Sequence, residues 1–187
     1  MKDLLRSLLI FIIMSLLTGL AYPFIMSGIS SVTMTEKARG SLIMSKGKII
    51  GSALIGQDFT DARYFHGRPS ALGKPYDASN SGGSNFGPSN NKFIDDVNGR
   101  IERVRAENGL EKAAPVPADM VLASASGLDP HISLETAFLQ TSRVARARGM
   151  QEGTITKIIS EAAEQHLGGP EIVNVLKLNM ALDKLMR

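Results

Sequence analysis

From Ser7 to Thr35 the chain carries no charged side chain, and within that stretch Leu8 to Met26 (LLIFIIMSLLTGLAYPFIM) is almost wholly apolar. As a helix rising 1.5 Å per residue it would span roughly 30 Å, the hydrocarbon thickness of a bilayer. Its apolar residues occur all round the helix, so a helix lying flat on the membrane surface is disfavoured. The reading is a cytoplasmic tail at 1–6, a single transmembrane helix at 7–27 and one extracytoplasmic domain at 28–187. A cleaved signal peptide competes with it, since a short basic start, an apolar run to Leu17 and the small residues Gly19-Leu20-Ala21 fit a cleavage point. Against cleavage, apolar character resumes at Tyr22, Phe24, Ile25 and Met26. Lys2 and Arg6 favour a cytoplasmic N-terminus and an inner-membrane location, a bias that Glu36, Lys37 and Arg39 weaken without reversing. Ser15 and Gly19, four apart, offer a small-residue face to another helix, and Pro23 predicts a kink or an unwound last turn at the outer end.

This segment explains a mean hydropathy of +0.02 that otherwise looks like an average soluble protein. The net charge of +3 is modest, and residues 7–187 are nearly balanced, so a nucleic-acid surface is not indicated. With no Cys, disulfides and thiolate metal ligation are excluded.

Beyond the exit at Gly28–Thr35, Ser41–Met44 and Lys48–Ile55 flank Ser45-Lys46-Gly47 as a hairpin. Residues 56–90 form a long Gly-, Ser-, Asn- and Pro-rich region, of the kind that is usually functional when ordered. Ser89 is predicted to cap a helix to Asn108 that Gly109 stops, and Ala118–Ser124 a short helix or turn. Ser133 starts a second long helix with Arg143, Arg146 and Arg148 mostly outward and Gly149 as its stop. Thr154–Leu167 is predicted as a third, and Asn174 caps the last. The fold class is α+β with a minor sheet.

Ser81-Gly82-Gly83-Ser84-Asn85 carries the densest chemistry. Paired glycines permit positive φ and can expose backbone N–H groups in a concave turn that holds an anion. The pair also looks like the Ser-Gly-Gly core of the transporter-ATPase signature loop, but no G-x-x-x-x-G-K-[ST] phosphate loop occurs. The competing reading is a self-satisfied loop. Ser89-Asn90-Asn91-Lys92 fits the S-x-x-K of a serine–lysine acyl enzyme, without the K-T-G or S-D-N that should accompany it. His66, His131 and His166 have no zinc spacing, so no metal site is expected. Asp129-Pro130-His131 is read as an Asx-type turn into the Ser133 helix. No catalytic triad or carboxylate pair is defensible.

A longer series of motifs runs along the chain: Gly51–Gln57, Tyr64-Phe65-His66-Gly67-Arg68-Pro69-Ser70-Ala71, Ser81–Asn90, Pro115–Asp119, Ser126–Ser133, Gln140, Arg143–Arg148 and Val173–Asn179. With the N-terminal apolar helix it resembles the C subunit of the Kdp potassium-transporting P-type ATPase, over nearly the whole chain. Two departures stand out: Leu122 where the family has Thr, and Pro170-Glu171-Ile172-Val173-Asn174 in place of a shorter Pro-Arg-Val-Asn run.

The resemblance implies a non-catalytic accessory subunit of a high-affinity, ATP-driven potassium uptake complex. Its partners would be a channel-like potassium-translocating subunit, a P-type ATPase subunit, a small membrane peptide and the lipid bilayer. ATP and potassium would be handled by the complex, with no covalently bound cofactor. The family role is stabiliser of assembly and catalytic chaperone that raises ATP affinity. With residues 28–187 outside the cell that effect would be indirect, and direct nucleotide contact at Gln57 and Ser81–Asn85 would need the opposite orientation. The partner surface expected on this reading comprises Tyr64, Phe65, Arg68, Tyr76, Phe86, Asp129 and His131, the aromatics having core packing as their alternative. A membrane-anchored acyl enzyme using Ser89 and Lys92 is the competing function.

Overall fold

A computed structural model describes residues 1–165 and 168–185. The chain divides into two compact units, Met1–Ile50 and Gly51–Arg187. The stretch from Gly28 to Ile50 falls in the same compact unit as the apolar helix.

In the first unit one helix runs from Lys2 to Thr33, reaching beyond 7–27 at both ends. It comprises α1 (Lys2–Leu16), a π-helical turn (Leu17–Ala21) and α2 (Tyr22–Thr33). Pro23 explains the turn. A proline lacks the N–H that would bond the Gly19 carbonyl, and its ring would clash with that carbonyl. Widening the preceding turn, where the Tyr22 N–H reaches back to the Leu17 carbonyl, makes room without ending the helix. The expected outer-end unwinding thus becomes a mid-helix bulge that contains Gly19. A short α3 (Thr35–Ala38) leads to the hairpin of β1 (Leu42–Ser45) and β2 (Lys48–Ser52). Positive φ at Lys46 and Gly47 gives the two-residue turn whose backbone suits strand twist.

The second unit is the α+β region. Helix α4 (Asn91–Asn108) is capped by Asn90, not Ser89: the Asn90 side-chain oxygen accepts from the Phe93 N–H at 3.2 Å. Both residue types cap well, and the one whose backbone is extended immediately before the first helical turn takes the role. Gly109 ends α4, and Gly149 the helix Leu134–Arg148, in the left-handed region, as their positions predict. Between these helices lies α5 (Ala118–Val121).

Strand β3 (His131–Ser133) leads into α6 (Leu134–Arg148), where Ser133 caps the Thr136 N–H at 3.1 Å. Helix α7 (Glu152–Ala162) ends before the predicted Leu167, because Ala163–Gln165 turns extended as β4. Strand β5 (Glu171–Asn174) lies at the centre of an antiparallel sheet ordered β3-β5-β4, with Val173 opposite both Ile132 and Ala163. The Ala-Ala-Glu-Gln sequence is helix-permissive, and pairing with β5 overrides it. His166 and the end of that predicted helix lie outside the described residues. Helix α8 (Val175–Leu185) follows with Asn174 as its cap, accepting from the Lys177 N–H at 3.1 Å.

The core is the seam between this sheet and α6, α7 and α8. Ile132, Val144, Ile155, Ile159, Val173, Leu178 and Leu182 are all buried there, and Phe65 joins them from the long irregular region.

Candidate functional site

The irregular region from Gly56 to Asn90 is held in place chiefly by polar side chains. Phe65, expected at a partner surface, is fully buried. The Asn179 amide on α8 accepts from its N–H at 2.8 Å and donates to its carbonyl at 3.0 Å. Gln140 on α6 does the same for the next residue, accepting from the His66 N–H at 2.8 Å and donating to the His66 carbonyl at 3.2 Å. Two buried amides thereby replace the ladder that a strand would supply, so a segment without secondary structure can enter the core.

Two arginines of α6 complete the strap. Arg143 donates to the Ala62 carbonyl at 2.8 Å, the Tyr64 carbonyl at 3.0 Å, Asn108 at 3.1 Å and Gln140 at 2.6 Å. Arg148 donates to the Arg63 carbonyl at 2.6 Å and to Asp183 at 2.9 Å, and its guanidinium lies 4.9 Å from the Tyr64 ring. Both side chains are buried, correcting the expectation that they point outward; Arg146 is exposed as predicted. Burial pulls the Arg143 pKa down, and the positive charge of Arg143, after burial itself, pulls down that of His66.

Arg68, Asp129 and His131 come together as a second cluster. Arg68 reaches the Asp129 carboxylate at 3.0 Å and the Leu122 carbonyl at 3.3 Å, and its Nε is buried with no partner among the described residues. The other Asp129 oxygen accepts from the His131 N–H at 3.0 Å, which is the predicted Asx turn. Burial raises the Asp129 pKa, but the hydrogen bonds from His131 and Arg68 outweigh it and hold the carboxyl below its usual range. Tyr76 donates to the Arg68 carbonyl at 2.7 Å, and burial pushes its phenol up to about 12.

Glycines make this packing possible. A Cβ on Gly56 would overlap the Tyr76 ring and lie 2.8 Å from the Asp129 carbonyl, and one on Gly67 would overlap the Tyr76 hydroxyl. Gln57 sits where a Cβ on Gly51 would fall. Arg68 borders three clefts of about 390, 540 and 430 Å3. The first is also lined by Asp58, His66, Tyr76, Arg103 and Glu107.

The glycine-rich segment is used differently from the anion-nest reading. Neither Gly82 nor Gly83 has positive φ; Asn85 does, at 53°. The Gly82 N–H and the Ser81 hydroxyl both donate to the Ser126 carbonyl, at 2.9 and 3.2 Å. A Cβ on Gly83 would lie 3.2 Å from the Ala125 carbonyl, so this glycine allows close backbone approach. Ser84, Asn85 and Phe86 are exposed. Phe86 stacks loosely on Phe93 at 6.5 Å, with the Lys92 ammonium 5.6 Å from its ring.

Lys92 also forms an ion pair with Asp96 at 2.9 Å. A serine-activating lysine must be aimed at its serine, whereas Lys92 is engaged by Asp96, so the acyl-enzyme reading of Ser89 and Lys92 gains no support from this geometry. Among the described residues no cluster of His, Asp or Glu could hold a metal ion.

The family model described as "KdpC: K+-transporting ATPase, c chain" matches residues 4–184. The chain belongs to this family. A potassium-transporting ATPase KdpC subunit of Polaromonas naphthalenivorans strain CJ2 is 50% identical over 99% of this chain and 96% of its own length. Its counterpart in Dechloromonas aromatica strain RCB is 47% identical over the full length of both, and that in Rhodopseudomonas palustris strain BisB18 is 44% identical over 98% of each. A KdpC subunit is one part of a multi-subunit potassium ATPase, so partner subunits are implied.

The motif series includes Gln140, Arg143, Arg148 and Asn179 without assigning them a role in the strap. A signal was present. Gln140, Val144 and Arg148 recur every fourth residue and share one helical face, so Arg148 belongs with the buried set. Arginine's usual exposure argued the other way.

Proposed function

We propose that the chain is the non-catalytic accessory subunit of an ATP-driven potassium uptake complex, anchored by Lys2–Thr33 in the cytoplasmic membrane with its N-terminus inside the cell. Residues beyond the anchor work outside, beside the channel-like subunit at the potassium entrance, and stabilise the assembly with the ATPase subunit and the small membrane peptide. The single observation that carries this reading is the family match over residues 4–184, joined to one apolar helix of membrane-spanning length. An effect on ATP affinity is transmitted through the complex as a coupling free energy, since the domain and the nucleotide lie on opposite sides of the membrane. The surface offered to partners comprises Phe86 and the rims of the clefts around Arg68, Asp129 and His131. Co-purification from membranes in mild detergent tests the assignment: the pump subunits are retained with the tagged chain. A tagged chain that never retains them, while remaining folded, overturns it. Protease added to intact spheroplasts tests the orientation, and protection of the domain would reverse it.

A further inference from the structure

The hairpin β1–β2 follows the apolar helix closely, with only Met34–Ser41 between them, and residues up to Ile50 share one compact unit with that helix. The two-residue turn at Lys46-Gly47 sets Met44 opposite Ile49 on one face and Ile43 opposite Ile50 on the other. Ile43 and Ile50 are half-buried. Leu42, Met44 and Ile49 are open, at 47%, 59% and 61% exposure. A two-stranded hairpin is marginal in water on its own, so an open apolar face of this kind calls for a covering surface.

Charge and position say which surface. Around the hairpin Lys37, Arg39, Lys46 and Lys48 stand against Glu36 alone. Residues 51–187 carry 15 Lys and Arg against 16 Asp and Glu, so the whole net positive charge of the chain lies in its first 50 residues. The 32-residue helix is about 48 Å long, roughly the bilayer with both headgroup layers. The chain therefore leaves that helix at headgroup level. An open apolar face at that level, with Lys46 at the turn beside it and Lys48 on the other face, matches the boundary between anionic headgroups and acyl chains.

We propose that the Leu42, Met44 and Ile49 face of the hairpin rests on the membrane interface and that Lys46, at the turn, and Lys48, its long stem reaching round from the other face, bind anionic lipid headgroups there. The inference rests on the anchor crossing the bilayer and is independent of the pump assignment.

The chain contains no Trp, so a single Ile49→Trp substitution gives an unambiguous reporter. The full-length variant is reconstituted into phosphatidylcholine vesicles with or without phosphatidylglycerol, each containing lipid spin-labelled near the headgroup. Flotation first checks the anchor, and a chain that does not float overturns both anchor and proposal. The expected result is blue-shifted emission, quenched about twofold more strongly with phosphatidylglycerol, the excess being removed by Lys46→Glu with Lys48→Glu. Unquenched emission typical of indole in water overturns the proposal. Equal quenching in both vesicles overturns the anionic-lipid assignment. A shift seen only after co-reconstitution with the pump subunits gives the face to a protein partner and also overturns it. Met44→Trp, on the same face, repeats the measurement should Ile49→Trp not fold.

Discussion

Asn179 holds Phe65 by both of its backbone groups, 114 residues away in sequence, at 2.8 and 3.0 Å. The contact is buried on both sides, so neither the Phe65 N–H nor its carbonyl has water as an alternative partner. Asn179→Leu keeps much of the volume but leaves a donor and an acceptor unsatisfied, at about 1–3 kcal/mol for each group. Urea unfolding of the full chain in detergent, followed by far-ultraviolet circular dichroism, is expected to show a loss of about 2–5 kcal/mol. Asn179→Asp keeps only the acceptor and should be similarly damaging.

Besides a 3.5 Å approach to the His66 ring, Arg143 meets four neutral oxygen acceptors and, among the described residues, no carboxylate within hydrogen-bond distance, so its value lies in its fork-shaped array of donors. Arg143→Lys retains charge but cannot span Ala62, Tyr64, Asn108 and Gln140 together. It is expected to cost about 2–4 kcal/mol, against roughly 0.5 kcal/mol or less for the exposed Arg146→Ala. Equal effects of the two substitutions in the same unfolding assay would refute the strap.

Stability should fall at both ends of the pH range, for separable reasons. His66 has its pKa depressed in the fold by burial and by Arg143, so below its ordinary value of 6.5 the unfolded chain takes up a proton more readily. Its contribution is present above that pH and is lost as pH falls through the folded value. Asp129, also depressed, adds a second loss below 3.8. Tyr76 is raised from 10.0 to about 12, so its contribution is complete below 10.0 and is lost as pH rises toward about 12. His66→Gln should flatten the slope just below 6.5, and Tyr76→Phe the alkaline slope, each leaving the other intact.

Gly56 and Tyr76 should be strongly coupled. Gly56→Ala puts a methyl group into the Tyr76 ring and is expected to cost about 1–3 kcal/mol. Tyr76→Ala removes the obstacle along with its hydrogen bond to Arg68. A double-mutant cycle should therefore show the pair less destabilised than the sum of the singles, by about 0.5–3 kcal/mol. Strict additivity would mean that Gly56 serves some purpose other than admitting the ring.

Phe86 provides the contrasting case, being 39% exposed and loosely stacked on Phe93. Phe86→Ala should change the unfolding midpoint little. If this aromatic anchors a pump subunit, retention of that subunit in pull-downs should weaken by about tenfold, as for a typical aromatic hot spot. Unchanged retention would remove Phe86 from the interface.

What the sequence determined by itself was local. Gly109 and Gly149 end helices, Ser133 and Asn174 cap them, and Asp129 closes its turn, because each acts on backbone within a few residues. The apolar helix was equally legible, since membrane-spanning length and absence of charge need no partner to be recognised. Its far end and its π-turn were not, because Pro23 can end, kink or widen a helix and the backbone around it chooses among these. Tertiary structure alone decided the rest. Ala163–Gln165 became a strand only because β5 offered it hydrogen bonds, and Phe65 became core only because Asn179 and Gln140 could satisfy the backbone on either side of it. Arg143 and Arg148 turned inward for the same reason: an irregular segment brought into the core carries unpaired carbonyls, and guanidinium groups on the facing helix are the donors able to reach several at once.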